Sequence, residues 1–232
     1  MVAVPTVHVF GDSHALFCFS NNWQLNHVLT HRGWSLPIAV HWVPGKTMHG
    51  IGKDGFKVLN FQESGVQEGD IVVLIYGEVD VRCHIGKQRD THQRALGEII
   101  GTLINRYFHT INQNKVFYTN IHCLIMEVMP PTNRGYNPDA PFYGPLEERV
   151  FITRLLNTGL KEVCLKNNIF FLPTHDILAD PAGTFKVELS DTGVHVGFNH
   201  NYLIKQRLID FLQKIITIGP SSHNIRNKIV ML

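Results

Sequence analysis

Thr6-Val7-His8-Val9-Phe10-Gly11-Asp12-Ser13-His14 is a short apolar run that breaks into a Gly-Asp-Ser turn. A run of this length bounded by turn residues reads as a buried strand. The helical period of residues 13 to 30 makes the unit strand, turn, helix. Outward from it, similar runs occur at Ile38 to Val43, Asp70 to Tyr76, Lys115 to Asn120 and Ile169 to Pro173. Helical patterns lie at Arg89 to His109, Leu146 to Lys166 and Asn199 to Ile216, with Gly33 and Asn167-Asn168 as helix stops. Alternation of this kind predicts a three-layer α/β sandwich around a central five-stranded parallel sheet.

Composition bounds the rest. The 232 residues are 44% apolar and 17% charged, which predicts one globular domain over residues 1–232. With 21 basic and 19 acidic side chains and no Lys/Arg block, neither nucleic acid nor a membrane surface is an expected partner. Cys18, Cys83, Cys123 and Cys164 are widely spaced, which suits reduced core thiols in a cytoplasmic protein. The stretch Met1 to Pro5 does not read as a secretory leader, and no run of about 18 apolar residues predicts a membrane span. Residues 129–145, rich in Pro, Gly, Asn and aromatics, read as a long loop beside the active site. Residues 219–232 form a tail without an assigned structure.

In an open parallel sheet the ligand crevice lies beyond the carboxyl ends of the strands. Those ends deliver Gly11-Asp12-Ser13-His14, Pro44-Gly45-Lys46-Thr47, Gly77 to His84, Asn120-Ile121-His122 and His175-Asp176, and Asp191 to His195 follow later. A serine at a helix start has its backbone N–H aimed at an incoming anion, which suits a nucleophile whose substrate becomes an oxyanion. Ser and Asp are also favoured helix caps, so the local sequence fits either role. Several of the 14 histidines fall near strand ends, but the carboxylates around them have other uses, so no metal or cofactor is expected. Asp80, Arg82 and His84 alternate along the chain, so in an extended segment they would share a pocket face, or Asp80 and Arg82 would form an ion pair.

Gly11-Asp12-Ser13 after the first strand, Gly45 after the second, Gly77-Glu78-Val79-Asp80 after the third and the late Asp191 and His195 resemble the ordered blocks of the SGNH (GDSL) hydrolase superfamily. The resemblance runs over residues 6 to 200 and implies a flavodoxin-like SGNH hydrolase fold. It also implies Ser13 as nucleophile, His195 as base, Asp191 as its orienting acid, and the N–H groups of Ser13 and Gly45 as oxyanion donors. Such a set is coherent, because a serine hydroxyl needs a neutral imidazole, and that imidazole needs a carboxylate to fix its tautomer.

Two departures stand out. Val79 occupies the place of the family's oxyanion asparagine, so a replacement donor is expected from Arg82, His84 or Asn120, with Arg82 favoured. Asp191 and His195 are separated by three residues where the family has two, which leaves Asp176 and Asp180 as alternative supports for His195. Trp42 beside Gly45, and Tyr136, Phe142 and Tyr143 in the long loop, offer aromatic faces for a sugar, or anchors for the loop. The surrounding His-Trp, Pro-Gly-Lys-Thr-Met and Gly-Glu-x-Asp-x-Arg-x-His context resembles a GDSH-type subgroup associated with glycan modification. The expected function is a serine esterase that removes an acyl group, acetyl among the candidates, from a carbohydrate or other small ester. A transferase passing such a group to a sugar hydroxyl and a non-catalytic glycan-binding module are the alternatives.

Overall fold

The computed structural model describes residues 4–19, 24, 25, 27–135 and 137–218. Among them six strands form one sheet: β1 (Val7–Gly11), β2 (Val28–His31), β3 (Trp34–Trp42), β4 (Ile71–Ile75), β5 (His122–Met126) and β6 (Phe170–Leu172). The spatial order is β2-β3-β1-β4-β5-β6, parallel throughout except for the edge strand β2.

The period-2 alternation of the central strands feeds two separate cores. On one face Val7, Val9, Ile71, Val73 and Leu124 pack with Ile204, Leu208 and Leu212 of α6 (Asn201–Ile218), spaced four apart on one helix stripe. On the other, Phe10, Val72, Leu74 and Ile125 meet α1 (Met48–Asp54), α3 (Leu96–Lys115) and α4 (Leu146–Lys166) through Ile51, Ile104 and Leu156. Truncating one of the fully buried leucines to alanine should cost about 2–5 kcal/mol. The polar residue inside β1, His8, is compensated by Asp70 at 3.1 Å and His41 at 3.0 Å. Burial, and then the charge of His8, push the His41 imidazole down to about 4.

Three expectations fail here. The helix expected from residue 13 to residue 30 is absent at both ends: a 3-10 turn covers Ser13–Cys18, and β2 pairs with β3 through Arg32-Gly33. Both turn residues have positive φ, 47° and 78°, the requirement of a tight hairpin, and Leu29 is buried between exposed Val28 and Thr30 as a strand demands. This hairpin supplies the sixth strand. Residues 115–120 are not a strand either. The third helix runs on to Lys115 and leaves Val116 and Phe117 exposed, so the apolar run there is not core, and the strand is His122–Met126. The helix expected over residues 89–109 is split into α2 (Gly86–His92) and α3 by the left-handed Gln93. A one-turn helix, α5 (His175–Leu178), follows β6. Among the described residues no helix is long and apolar enough to cross a membrane.

Candidate active site

Where β1 ends, the chain must turn sharply beside β4. A Cβ on Gly11 would lie 2.8 Å from Ala15 Cβ and 3.2 Å from the Ile75 carbonyl, so the close approach needs glycine. Asp12 then caps the turn, its Oδ1 accepting the His14 N–H at 2.9 Å. Burial pushes the Asp12 carboxyl up to about 6 against the opposing pull of His14. Ser13 follows half-buried at the carboxyl end of the sheet, and His14 turns inward and is buried.

After β4, Gly77 adopts φ +116°, and a Cβ there would lie 2.8 Å from Val128 and 3.1 Å from the Met48 sulfur. This turn brings Glu78 under His14. His14 Nε2 stands 3.4 Å from Glu78 Oε2, and Glu78 Oε1 stands 2.9 Å from Arg82 Nε. Burial alone would favour the neutral forms of Glu78 and His14. The mutual attraction of opposite charges wins, with Glu78 held below the carboxylate range by His14 and Arg82, and His14 raised by Asp12 and Glu78. The result is a buried row of alternating charge: Arg82, Glu78, His14.

The second histidine arrives from the other side. Residues 190–196 fold into a tight turn closed by the Ser190–Val196 bridge and by the Asp191 N–H donating to the His195 carbonyl at 3.1 Å. The side chain of Asp191 accepts the Gly193 N–H at 2.8 Å and reaches His195 Nδ1 at 3.1 Å. Thr192 holds φ +83°, unusual for a β-branched residue and costing about 1–3 kcal/mol, which the turn's hydrogen bonds must offset. His195 Nε2 is buried and has no hydrogen-bond partner among the described residues. Its ring centroid lies 5.1 Å from that of His14. Burial, and then the His14 charge, lower the His195 pKa, while Asp191 partly opposes them. His195 is therefore kept neutral with one nitrogen unoccupied.

The structure brings Ser13, His195 and Asp191 to one end of the sheet, although no hydrogen bond joins Ser13 Oγ to His195 among the described residues. Asp191 is the carboxylate on His195. Asp176 pairs with Arg207, and Asp180 accepts from Thr184 at 2.6 and 2.9 Å. Gly45 occupies the exposed turn after β3 with φ +66°. Trp42 is 40% exposed, pairs in register with Gly11, and meets Phe19 edge-on at 6.1 Å.

Other expected site residues lie elsewhere. Asp80, Arg82 and His84 do not share an extended face, because Asp80–Ile85 forms a π-helical turn that sends them in different directions. Asp80 accepts the Met48 and His49 N–H groups at 2.8 and 3.1 Å, and burial pushes its carboxyl up to about 7. Arg82 pairs with Glu78 rather than Asp80 and donates to the Ala140 carbonyl at 3.0 Å, which engages its guanidinium on two sides. His84 lines a separate cavity with His49. Asn120 is at the opposite end of the sheet, before β5, where its carbonyl accepts the Gly69 N–H at 2.6 Å. That displacement follows from the misplaced strand.

The loop of residues 129–145 is anchored rather than open. The guanidinium carbons of Arg82 and Arg149 lie 5.9 and 4.6 Å from the Phe142 ring centroid. Arg149, 1% exposed, donates to the Thr132 carbonyl at 2.7 Å and to Asn133. Tyr143 packs on Gly86 and donates to Asp90 at 2.9 Å. Both half-buried rings therefore anchor the loop, while Tyr136 lies outside the described residues. The loop does touch the His195 turn, since Gly135 backs onto Gly193 so closely that a Cβ would stand 2.6 Å from its Cα.

Sequence reasoning missed His14 and Glu78 as a pair. The available signal was their position: His14 adjoins Ser13, and Glu78 lies in the third block. Among the described residues, no group of three or more His, Cys, Asp or Glu side chains is arranged to hold a metal.

No protein-family model and no curated protein matches the sequence. Solved structures do match it in fold. A candidate platelet activating factor from Streptococcus pneumoniae superposes with TM-score 0.63 at 20% identity, covering 91% of this chain and 85% of that one. A carbohydrate acetylesterase from Sinorhizobium meliloti gives 0.58 at 11% identity, covering 91% and 99%. A GDSL-like lipase from Bacteroides thetaiotaomicron gives 0.56 at 12% identity, covering 92% and 93%. With its mostly parallel sheet, helices on both faces and a Gly-Asp-Ser turn at the end of β1, the chain has the fold of the SGNH (GDSL) hydrolase superfamily.

Proposed function

We propose that the protein is a serine esterase that cleaves an acyl group, acetyl foremost, from a carbohydrate or other small ester through a Ser13 acyl-enzyme. The observation that carries this reading is the His195 turn: a neutral imidazole with Asp191 on Nδ1 and an unoccupied, buried Nε2, held beside the Ser13-His14 turn. The carbohydrate acetylesterase and GDSL-like lipase among the structural neighbours support ester chemistry on this fold, at identities that leave the substrate to experiment.

In this mechanism His195 Nε2 takes the Ser13 Oγ proton as the oxygen attacks the ester carbonyl, and Asp191 stabilises the imidazolium that forms. The Ser13–His195 hydrogen bond must tighten on substrate binding, as catalytic hydrogen bonds commonly do. Backbone N–H groups of Ser13 and Gly45 receive the oxyanion. Collapse of the tetrahedral intermediate breaks the C–O bond, and His195 returns the proton to the leaving alcohol. Water, deprotonated by His195, then hydrolyses the acyl-enzyme and regenerates Ser13. With valine at position 79 and Arg82 engaged by Glu78, the oxyanion lacks a side-chain donor typically worth about 10²–10³ in rate.

The test is release of acetate from p-nitrophenyl acetate and from acetylated sugars by wild type and Ser13→Ala. Turnover by wild type that vanishes in Ser13→Ala supports the esterase. Release of p-nitrophenol that requires an added sugar acceptor, with the acetyl group recovered on the sugar and no acetate formed, would instead assign a transferase, and binding of an acetylated sugar without turnover, retained in Ser13→Ala, would assign a binding module.

A further inference from the structure

A cavity of about 330 Å³ opens between α1, the π-helical turn, α2 and the first half of α3. It is at the same end of the sheet as Ser13, because α1 leaves the end of β3 and the π-helical turn leaves the end of β4. Its walls carry His49 from α1, His84 from the π-helical turn, Arg94 from the segment before α3 and Arg106 from α3. Asp80 is the one carboxylate in the lining, and its oxygens already accept the Met48 and His49 N–H groups. Arg94 is partly neutralised by Glu98 at 2.8 Å. Among the described residues no carboxylate forms an ion pair with Arg106, His49 or His84. Burial, and then the charges of His49, Lys87 and Arg82, lower the His84 pKa.

His49, His84 and Arg106 are exposed along the cavity mouth, and Arg94 is half-buried. At Gly52, α1 lies against the backbone and Cβ of Arg106, which leaves the guanidinium free of that contact. Basic groups converging from four segments on one hollow suit a ligand that presents oxygens in several directions. A carboxylate is planar and is best served by one arginine fork, whereas a phosphate is tetrahedral and takes donors from separate sides. The volume is at the lower end of ligand pockets, about 300–1,000 Å³, and exceeds what a bare inorganic ion needs.

We propose that this cavity binds a phosphate oxyanion, free or carried on a small organic molecule, with Arg106, His84 and His49 as the principal donors and Arg94 at the rim. The proposal is independent of the ester reading, since it invokes no step at Ser13.

Isothermal titration calorimetry of the full chain, at fixed ionic strength, with inorganic phosphate, glucose 1-phosphate and acetate tests it. Saturable binding of a phosphate compound is expected, weakened at least tenfold in Arg106→Gln and severalfold in His84→Gln, with both variants melting as wild type. Tighter binding of glucose 1-phosphate than of phosphate would assign a carried phosphate, and equal binding a free one. Ser13→Ala should bind as wild type does, so that loss of ester turnover and loss of phosphate binding are read separately. No saturable heat with either phosphate compound, acetate binding as tightly, or unchanged affinity in Arg106→Gln would overturn the assignment.

Discussion

His14 and His195 stand with ring centroids 5.1 Å apart, each beside a carboxylate, yet their environments push them in opposite directions. Around His14, the carboxylates of Asp12 and Glu78 outweigh burial and favour the charged ring. For His195, burial and the neighbouring His14 charge outweigh the more exposed Asp191 and favour the neutral ring. A carboxylate partner therefore does not by itself decide protonation. Its burial and the next charge along do. The two regions divide the work accordingly: the turn of residues 190–196 presents a base whose burial favours its neutral form, and the ends of β1 and β4 place beside it a second histidine whose charge acts in the same direction.

The largest effect should come from deleting the neutral member. His195→Ala is expected to lower kcat for an activated ester by about 10³-fold or more, as is Ser13→Ala, with the double variant no worse than either single one because the two act as a unit. Additive losses in the double variant would break the pairing. Asp191→Asn should follow with a loss of about 10²-fold or more, since the turn survives while the tautomer and the imidazolium lose support.

His14→Gln addresses the other half of the comparison. Removing its charge should let the His195 pKa rise, so the acid limb of the kcat/KM profile moves to higher pH while activity on the plateau changes far less. A limb that stays in place would mean the two rings do not communicate. The same variant tests stability. Because folding raises the His14 pKa, its stabilising contribution is fully present below the ordinary histidine range and is lost as pH rises through the folded value. Wild type should therefore lose more unfolding free energy over that interval than His14→Gln, in which the raised carboxyls of Asp80 and Asp12 still contribute. Glu78→Gln strips both neighbours of their counter-charge and should cost about 3 kcal/mol in denaturant unfolding. The smallest effect is expected from Tyr143→Phe, at most about 1 kcal/mol with KM for sugar esters unchanged, because its hydroxyl only ties the loop to Asp90.

Much of the sheet was legible because β4 and β6 are continuous apolar runs and β1 is broken only by His8, all of them buried, and α4 was legible over Leu146–Lys166 because Val150, Ile152, Leu156, Leu160 and Cys164 recur at helical spacing. The edge hairpin was hidden because residues 13 to 30 carry a helix-like spacing that the Arg32-Gly33 turn overrides. The strand expected at residues 115–120 failed because local apolar character does not distinguish a buried run from the exposed Val116 and Phe117 at a helix end. At the site, ordered blocks pointed to Ser13, Asp191 and His195. The loop's aromatic rings read equally as faces for a sugar or as anchors, and the sequence could not show the anchoring because the partners that hold Phe142 and Tyr143, namely Arg82, Arg149 and Asp90, meet them only in the fold. The roles of His14 and Glu78 were illegible for a related reason, since 64 residues of chain separate two side chains whose meaning comes from standing 3.4 Å apart.

The central claim is that Ser13 is an activated nucleophile, and intact-mass analysis after incubation with a fluorophosphonate tests it without knowledge of the substrate. One adduct per chain is expected on wild type, mapped to Ser13, with none on Ser13→Ala and slow labelling of His195→Ala. Wild type that stays unlabelled, or an adduct that persists in Ser13→Ala, would contradict the account.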